Sequence, residues 1–371
     1  MRRIIQFGTS RFLQAHADFF VHQARAEGQD IGPIAVVKTT QGGDRAGRIA
    51  ALKSGKPYPI RIRGIENGKV VDETHEIASI DRAYEAETEW PEIVQCFAEE
   101  AEIAISNVAE RGYETLPEDG AHDYRGAAVP PSFPAKMLAL LLARHRAGGK
   151  PLLFLPTELV SGNGKQLSGI VTGLARMSGQ SEAFLTWLTK SVIFPDTLVD
   201  RIVAQPIEPI GAVAEPYALW AIRKGPFEFL THRDVRMVDD LEPYARLKLH
   251  ILNLGHTVLT DAWMRRAGPA DETVKHVLDD TPDARRLATI YADEVVPGFA
   301  IRGMGPEAER YVATTVERFR NPFLEHRLSD IAQNHPVKLT NRIAAFIAWV
   351  RERDPGFKAP LLTAVLDGNA S

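Results

Sequence analysis

The sequence predicts an α/β chain in two parts: a doubly wound, largely parallel sheet over residues 1–240, then a mostly α-helical part over residues 241–371. Three observations carry this prediction. Short, nearly continuous apolar runs alternate with helical patterns through the first half, as strands buried on both faces require. A glycine-containing turn joins the first such run to the first helix. Beyond Pro243, helical patterns punctuated by Pro and Gly run to the end, and strands are hard to find.

Taken in order, residues 3–7 read as a strand, 11–26 as an amphipathic helix and 34–38 as a second strand. The polar alternation of residues 58–80 about Glu66-Asn67-Gly68 reads as an antiparallel hairpin inserted in the first part. Residues 103–107, 152–155 and 235–238 supply further strands of the buried sheet. The boundary falls near residues 236–243. No internal repeat or low-complexity stretch is present, and the tail from Asp367 to Ser371 is expected to fray. Trp220, Trp263 and Trp349 read as core residues.

Length and composition narrow the function. A chain of 371 residues exceeds one ordinary core, which is why two domains are expected. With 44% hydrophobic and 25% charged residues, it has the balance of a folded protein. A net charge of −4 and the lack of a basic run argue against a nucleic-acid partner and suit a small polar substrate. Cys96 is the one cysteine, so neither an intrachain disulfide nor a cysteine-rich zinc site is expected. The N-terminal residues lack the long apolar region of a signal peptide. Apolar stretches such as 137–143 fall far short of the ~20 residues of a membrane helix. These features suggest a cytoplasmic protein with no membrane partner; monomer and homo-oligomer stay equally open.

The turn Phe7-Gly8-Thr9-Ser10-Arg11-Phe12 lies where a dinucleotide-binding fold presents backbone amides and a helix start to a pyrophosphate. Gly8 allows a tight turn, Thr9 and Ser10 add hydroxyls, and Arg11 adds positive charge. The full G-x-G-x-x-G spacing is missing, so an ordinary capped strand–helix turn fits this segment equally well. At the end of the second strand, an NAD-selective site usually has an acid for the ribose diol. This chain has Lys38, followed by Asp44 and Arg45, which leaves both NAD and NADP open.

The most informative stretch runs from Lys248 to Thr257. At ~100° per residue, Lys248, Asn253 and His256 fall within an arc of roughly 140° on one helix. Leu247, Ile251, Leu254 and Val258 fall opposite, and Leu249 and Leu252 share the polar arc. Carbonyl reduction by hydride needs a group to exchange a proton with the substrate oxygen, and donors for the charge that develops there. A lysine in an apolar pocket suits the first task, because desolvation favours its neutral form. An asparagine amide and a histidine N–H suit the second. There is no H-E-x-x-H and no Cys/His cluster, so no metal is expected. Taken singly, a surface lysine, a capping asparagine and a core histidine read the same residues blandly.

The spacing K-x4-N-x2-H, here Lys248, Asn253 and His256, resembles that of the polyol-specific long-chain dehydrogenases, the mannitol dehydrogenase family. Gln6-Phe7-Gly8 with Phe12-Leu13 is similar to that family's opening turn. Ser106-Asn107-Val108-Ala109-Glu110-Arg111-Gly112 resembles its S-N-T-T-E-x-G, and Phe133-Pro134-Ala135-Lys136 its F-P-x-K. Leu155-Pro156-Thr157-Glu158-Leu159 with Asn163-Gly164 resembles P-C-E-L…N-G, and Leu198-Val199-Asp200-Arg201-Ile202 resembles V-D-R-I. Arg318-Phe319-Arg320-Asn321-Pro322, His326 and Lys338 are similar to R-F-x-N-P…H…K. The likeness spans residues 4–345 and is greatest to the tagaturonate reductase (altronate oxidoreductase) branch. Glu158-Leu159-Val160 stands where mannitol dehydrogenases carry D-N-I, and Arg11 replaces a small or amide residue. The chain is also shorter than expected for that branch.

The resemblance implies a Rossmann-type dinucleotide-binding domain, a helical substrate domain and an active site in the cleft between them. It implies NAD or NADP as cofactor, Lys248 as general acid/base, and Asn253 and His256 as carbonyl-polarising donors. Asn107 and Glu158 join Gly8, Thr9, Ser10, Arg11, Phe12 and Lys38 as candidate cofactor contacts. Glu158 reads equally as a residue that positions Lys248 or caps a helix. Asp200, with Arg201, reads equally as a structural ion pair at a strand end or as a substrate or cofactor contact. A keto-hexuronate carboxylate calls for cations. Arg318, Lys338 and Arg342 are candidates, the last two at i, i+4, with His326 as a further donor. The leading expectation is hydride transfer to or from a keto-hexuronate of the tagaturonate/altronate type. A mannitol/fructose-type polyol dehydrogenase, a fructuronate reductase and a non-catalytic dinucleotide sensor are the alternatives.

Overall fold

The computed structural model describes residues 1–40, 47–108, 110–126, 128–279 and 281–368. Asp44 and Arg45, weighed above beside Lys38, lie outside the described residues, as do Ala109 and the last three residues of the tail. The strands begin with β1 (Arg2–Phe7), β2 (Ile31–Lys38), β3 (Tyr58–Glu66), β4 (Lys69–Ile77) and β5 (Ile80–Glu85). They continue with β6 (Ala101–Ser106), β7 (Leu152–Pro156) and β8 (Val192–Ile193). Short strands follow: β9 (Thr197–Asp200), β10 (Val203–Pro206), β11 (Ala212–Ala214), β12 (Leu219–Arg223) and β13 (Val235–Val238).

The large sheet has the order β5-β2-β1-β6-β7-β8, and its pairs are all parallel. Its central strands are buried almost throughout, since helices cover both faces of such a sheet. The order reverses at β1, so the turns after β1 and β6 open side by side at the carboxyl edge. That is where open α/β sheets bind ligands. Phe7 packs among Phe97, Phe133 and Phe154 and anchors this edge from below.

The hairpin β3–β4 forms about Asn67 and Gly68, whose φ values of 53° and 74° suit a primed turn. Burial alternates along most of β3, as a strand with one covered face requires. β3 also pairs with β11 in a four-stranded sheet, β10-β11-β3-β4. The strand over 235–238 is present but lies outside the large sheet. It pairs with β12 in a third sheet of order β13-β12-β9. β5 and β8–β12 were not foreseen: most have five residues or fewer, and so show little periodicity.

Residues 11–26 are helical, but the amphipathic alternation expected of them holds only toward the C-terminal end. Burial is continuous from Leu13 to Val21, and a π-helical stretch, Gln14–Asp18, interrupts the α-helix. Each buried polar side chain there has at least one partner: Gln14 Oε1 accepts from the Gly211 amide, His16 Nε2 meets Leu219 O, and Asp18 Oδ2 accepts from the Tyr58 hydroxyl. Burial pushes the Asp18 carboxyl up to about 7 and the His16 imidazole down to about 3.

Two compact units can be drawn. The first holds Met1–Ile62, Glu73–Ala214 and Ala218–Leu241; the second holds the chain from Glu242 together with Arg63–Asp72 and Glu215–Tyr217. The second unit is helical around a core that includes Leu254, Phe299, Phe346 and Trp349. The hairpin tip belongs to it. The Asn67 and Gly68 amides donate to Glu317, Asn321 Nδ2 donates to Arg63 O, and the Arg63 guanidinium lies 3.9 Å over the Phe323 ring. Among the described residues no helix is long and apolar enough to cross a membrane. Trp220 and Trp349 are buried and Trp263 is half-buried.

Candidate active site

Each unit gathers a group of the predicted residues. In the first unit the turns after β1, β6 and β7 are tied into one frame. The Gly8 amide donates to Val37 O, Asn107 N to Phe7 O and Thr157 N to Ser106 O, which continue the sheet past its strands. Ser10 caps the following helix, accepting from Leu13 N at 3.2 Å, and its hydroxyl donates to Asn107 Oδ1 at 2.8 Å. Asn107 Nδ2 in turn donates to the Thr157 carbonyl and hydroxyl. Gly8 has φ +123°, and a Cβ there would stand 2.7 Å from Asn107 O, so the close approach of the two turns requires glycine.

A cleft of about 1010 Å³ opens above this frame, lined by Gly8, Thr9, Ser10, Lys38, Asn107 and Lys136 among others. Three predicted cofactor residues are not among its lining residues. Arg11 reaches Glu208 at 3.4 Å. Phe12 stacks on His16 with ring centroids 4.7 Å apart. Glu158 is buried: Oε1 accepts from Val108 N and Oε2 from the Tyr113 hydroxyl, each at 3.0 Å. Burial raises the Glu158 carboxyl above its ordinary range. Glu158 braces the Asn107 turn, and the N-cap of the next helix is Gly162, so the helix-capping reading is withdrawn.

At the far end of the cleft, the Lys38 ammonium lies 3.0 Å from Glu85 across the last register pair of β2 and β5. Lys136, of the Phe133-Pro134-Ala135-Lys136 segment, also lines the cleft. It is buried, donates to Pro131 O at 2.9 Å, and burial lowers its pKa. Asp200 ends β9, buried, and Arg201 donates to Ala15 O at 2.6 Å.

In the second unit, Lys248, Asn253 and His256 share one continuous helical run, but not an α-helix throughout. Lys248–Asn253 is π-helical, and the α-helix resumes over Leu254–Arg265. Lys248 and Asn253 are half-buried; His256 is buried with its ring centroid 4.4 Å from Phe319 and 4.8 Å from His326. His250, unremarked in the sequence, packs against Trp349 and meets Arg342 O through Nδ1 at 3.0 Å. Arg342 donates through Nη1 to both Asn253 O and Thr257 Oγ1, each at 3.1 Å.

The four remaining substrate candidates in this unit separate by their partners. Arg318 forks Glu215 through Nε and Nη2 at 3.0 and 2.7 Å, both side chains are 2% exposed, and its guanidinium covers the Tyr217 ring at 4.2 Å. Its carboxylate-binding face is occupied by the protein itself, so Arg318 leaves the substrate set. Lys338 and Arg342 form no ion pair among the described residues; Lys338 Nζ donates to Ile331 O at 2.6 Å. Burial lowers the pKa of both, and the Arg342 charge lowers that of Lys338 further. Burial and the Arg318 and Lys338 charges hold His326 below its usual range, against the opposing pull of Asp330. Lys338 immediately precedes another π-helical stretch, Leu339–Ala344, and Arg342 lies within it.

Residues 2–232 match the family described as the mannitol dehydrogenase Rossmann domain, and residues 240–366 match the mannitol dehydrogenase C-terminal domain. The altronate oxidoreductase of Halalkalibacterium halodurans is 30% identical over 368 residues, covering 92% of this chain and 69% of that protein. The enzyme of the same name from Yersinia enterocolitica is 31% identical over 395 residues, covering 98% and 78%. Among solved structures, a D-sorbitol dehydrogenase in substrate-free form matches with TM-score 0.75 at 21% identity, over 94% of this chain and 76% of that one. Pseudomonas fluorescens mannitol 2-dehydrogenase, in a ternary complex with NAD and D-mannitol, matches with TM-score 0.74 at 20% identity, over 99% and 78%.

Proposed function

Because this chain belongs to the mannitol dehydrogenase family, we propose that it interconverts a sugar-acid alcohol and its ketone, of the altronate/tagaturonate type, with Lys248 as the proton-exchanging group. The frame of Gly8, Ser10 and Asn107 beneath the cleft suits a nicotinamide dinucleotide, because it lies at the carboxyl edge where the strand order reverses, with a backbone turn and a helix start facing the cleft. When bound, that group accepts or supplies the hydride. In the oxidative direction, Lys248 takes the hydroxyl proton as the carbinol C–H bond breaks. In the reductive direction it returns that proton to the oxygen. Asn253 and His256 donate hydrogen bonds to the same oxygen, and these strengthen as it gains charge. The proton travels through Lys248, so activity persists in chelator.

The observation that carries the sugar-acid reading is the pair Lys338 and Arg342, two neighbouring cations without an acidic partner among the described residues. Arg342 donates to the backbone of Asn253, and this contact supports assigning the pair to the same site as the proposed proton-exchanging set. A substrate carboxylate supplies the missing counter-charge. NADH oxidation at 340 nm with tagaturonate, fructuronate and fructose tests this. Turnover of a uronate and none of fructose is expected. Arg342→Met should raise the uronate KM by about tenfold to a hundredfold, the worth of one charge-assisted contact. Activity confined to fructose would move the chain to the neutral-polyol reading.

NAD is the proposed cofactor in preference to NADP, since Glu85 faces the Lys38 ammonium that a 2′-phosphate would need. Glu85→Gln is expected to raise kcat/KM for NADPH relative to NADH by about tenfold, ~1.4 kcal/mol. An unchanged ratio would show that Lys38 does not read the ribose.

A further inference from the structure

We propose that Tyr291 is a positioning residue for Lys248 and Asn253, acting through the widened helical turn that carries them; the inference rests on the proton-exchange role given to Lys248 above. In an uninterrupted α-helix, residues five apart diverge by roughly 140° about the axis. The turn Lys248–Asn253 is instead π-helical, and the Leu254 amide reaches back to Leu249 O, an i→i−5 bond. This wider turn places residues five apart nearly above one another, which draws Lys248 and Asn253 toward a common line.

A π-helical turn is a poorer arrangement than the α-helix it replaces, so it persists where neighbours hold it. Tyr291 is the neighbour at its centre. Its hydroxyl donates to Ile251 O at 2.8 Å, and the side chain is 2% exposed. Burial pushes the phenol far above its ordinary range and keeps it a donor. Gly255 makes the approach possible: a Cβ there would overlap the Tyr291 hydroxyl and stand 3.0 Å from the Phe319 ring. The other end of the turn is held at Asn253 O by Thr257 Oγ1 at 2.9 Å and Arg342 Nη1 at 3.1 Å. Tyr291 bonds the backbone between the two functional side chains and acts on the reaction only through their direction.

The test compares Tyr291→Phe, which keeps the ring and removes the hydroxyl, with Gly255→Ala, which displaces the hydroxyl. Rates are taken at a temperature where each variant retains native circular dichroism, so lost stability alone moves nothing. Both variants should lower kcat by roughly 10- to 100-fold, shift the pH profile of kcat, and leave the dissociation constant for NADH native. Native kcat and pH profile in Tyr291→Phe would overturn the proposal. Lys248→Ala, run alongside, separates the two ideas. If it is inactive while Tyr291→Phe is native, the positioning role falls and the role of Lys248 stands. If Lys248→Ala is itself fully active, the proton-exchange reading falls first.

Discussion

Lys248→Ala is expected to lower kcat by about 10²- to 10⁴-fold, the range of a positioned acid–base group, and to leave NADH binding unchanged. The two effects separate because Lys248 lies on the π-helical turn of the second unit, whereas Gly8, Ser10 and Asn107, the proposed cofactor frame, belong to the first. A residue that acts only on the reacting oxygen removes stabilisation specific to the transition state, so kcat and kcat/KM should fall together. Two further signs distinguish proton exchange from packing. The limb of the pH–rate profile that reports the base should vanish, and a small primary amine such as methylamine should restore part of the rate. Stopped-flow reduction of tagaturonate under single-turnover conditions measures both. A rate within threefold of native would sink the assignment.

Arg318→Met should cost roughly 3–5 kcal/mol of stability, because it leaves Glu215 charged and buried without its fork. The loss of contact with the Tyr217 ring adds to this. Replacing both partners, Arg318→Met with Glu215→Leu, should restore most of the loss, since the expense lies in the orphaned charge rather than in the missing bond. Urea unfolding of the single and double variants gives the comparison. The result also decides a question of function. Were Arg318 the substrate's carboxylate anchor, the single variant would raise the uronate KM and leave the unfolding midpoint near native. A double variant as unstable as the single one would mean that Arg318 acts through groups other than Glu215.

Arg318 shows where sequence reading fails. Its guanidinium looks available for an anion in the linear sequence, and its true partner stands 103 residues earlier. No spacing rule links positions 215 and 318. Lys38 is similar: the acid that answers it comes from β5, 47 residues on, and follows from strand order alone. Lys338 and Arg342 present the opposite case. Among the described residues they have no acidic partner, a property that also exists only once every neighbouring side chain is in place.

By itself the sequence determined what local periodicity and turn chemistry determine. β1, β2, β6 and β7 are legible as near-continuous apolar runs because strands buried on both faces need apolar side chains at most positions. The β3–β4 turn is legible because Asn67-Gly68 tolerates positive φ. Lys248, Asn253 and His256 are legible together because five and three residues are short distances along one helix. The tertiary structure decided the rest. It set β13 in a small separate sheet, buried residues 13–21 of the first helical segment on all sides, and closed the Arg318–Glu215 pair. It also widened the turn at Lys248–Asn253, because the groups that meet those carbonyls, Tyr291 and Arg342, come from distant segments. Periodicity records which face of an element is covered; it does not record which residue, from how far along the chain, does the covering.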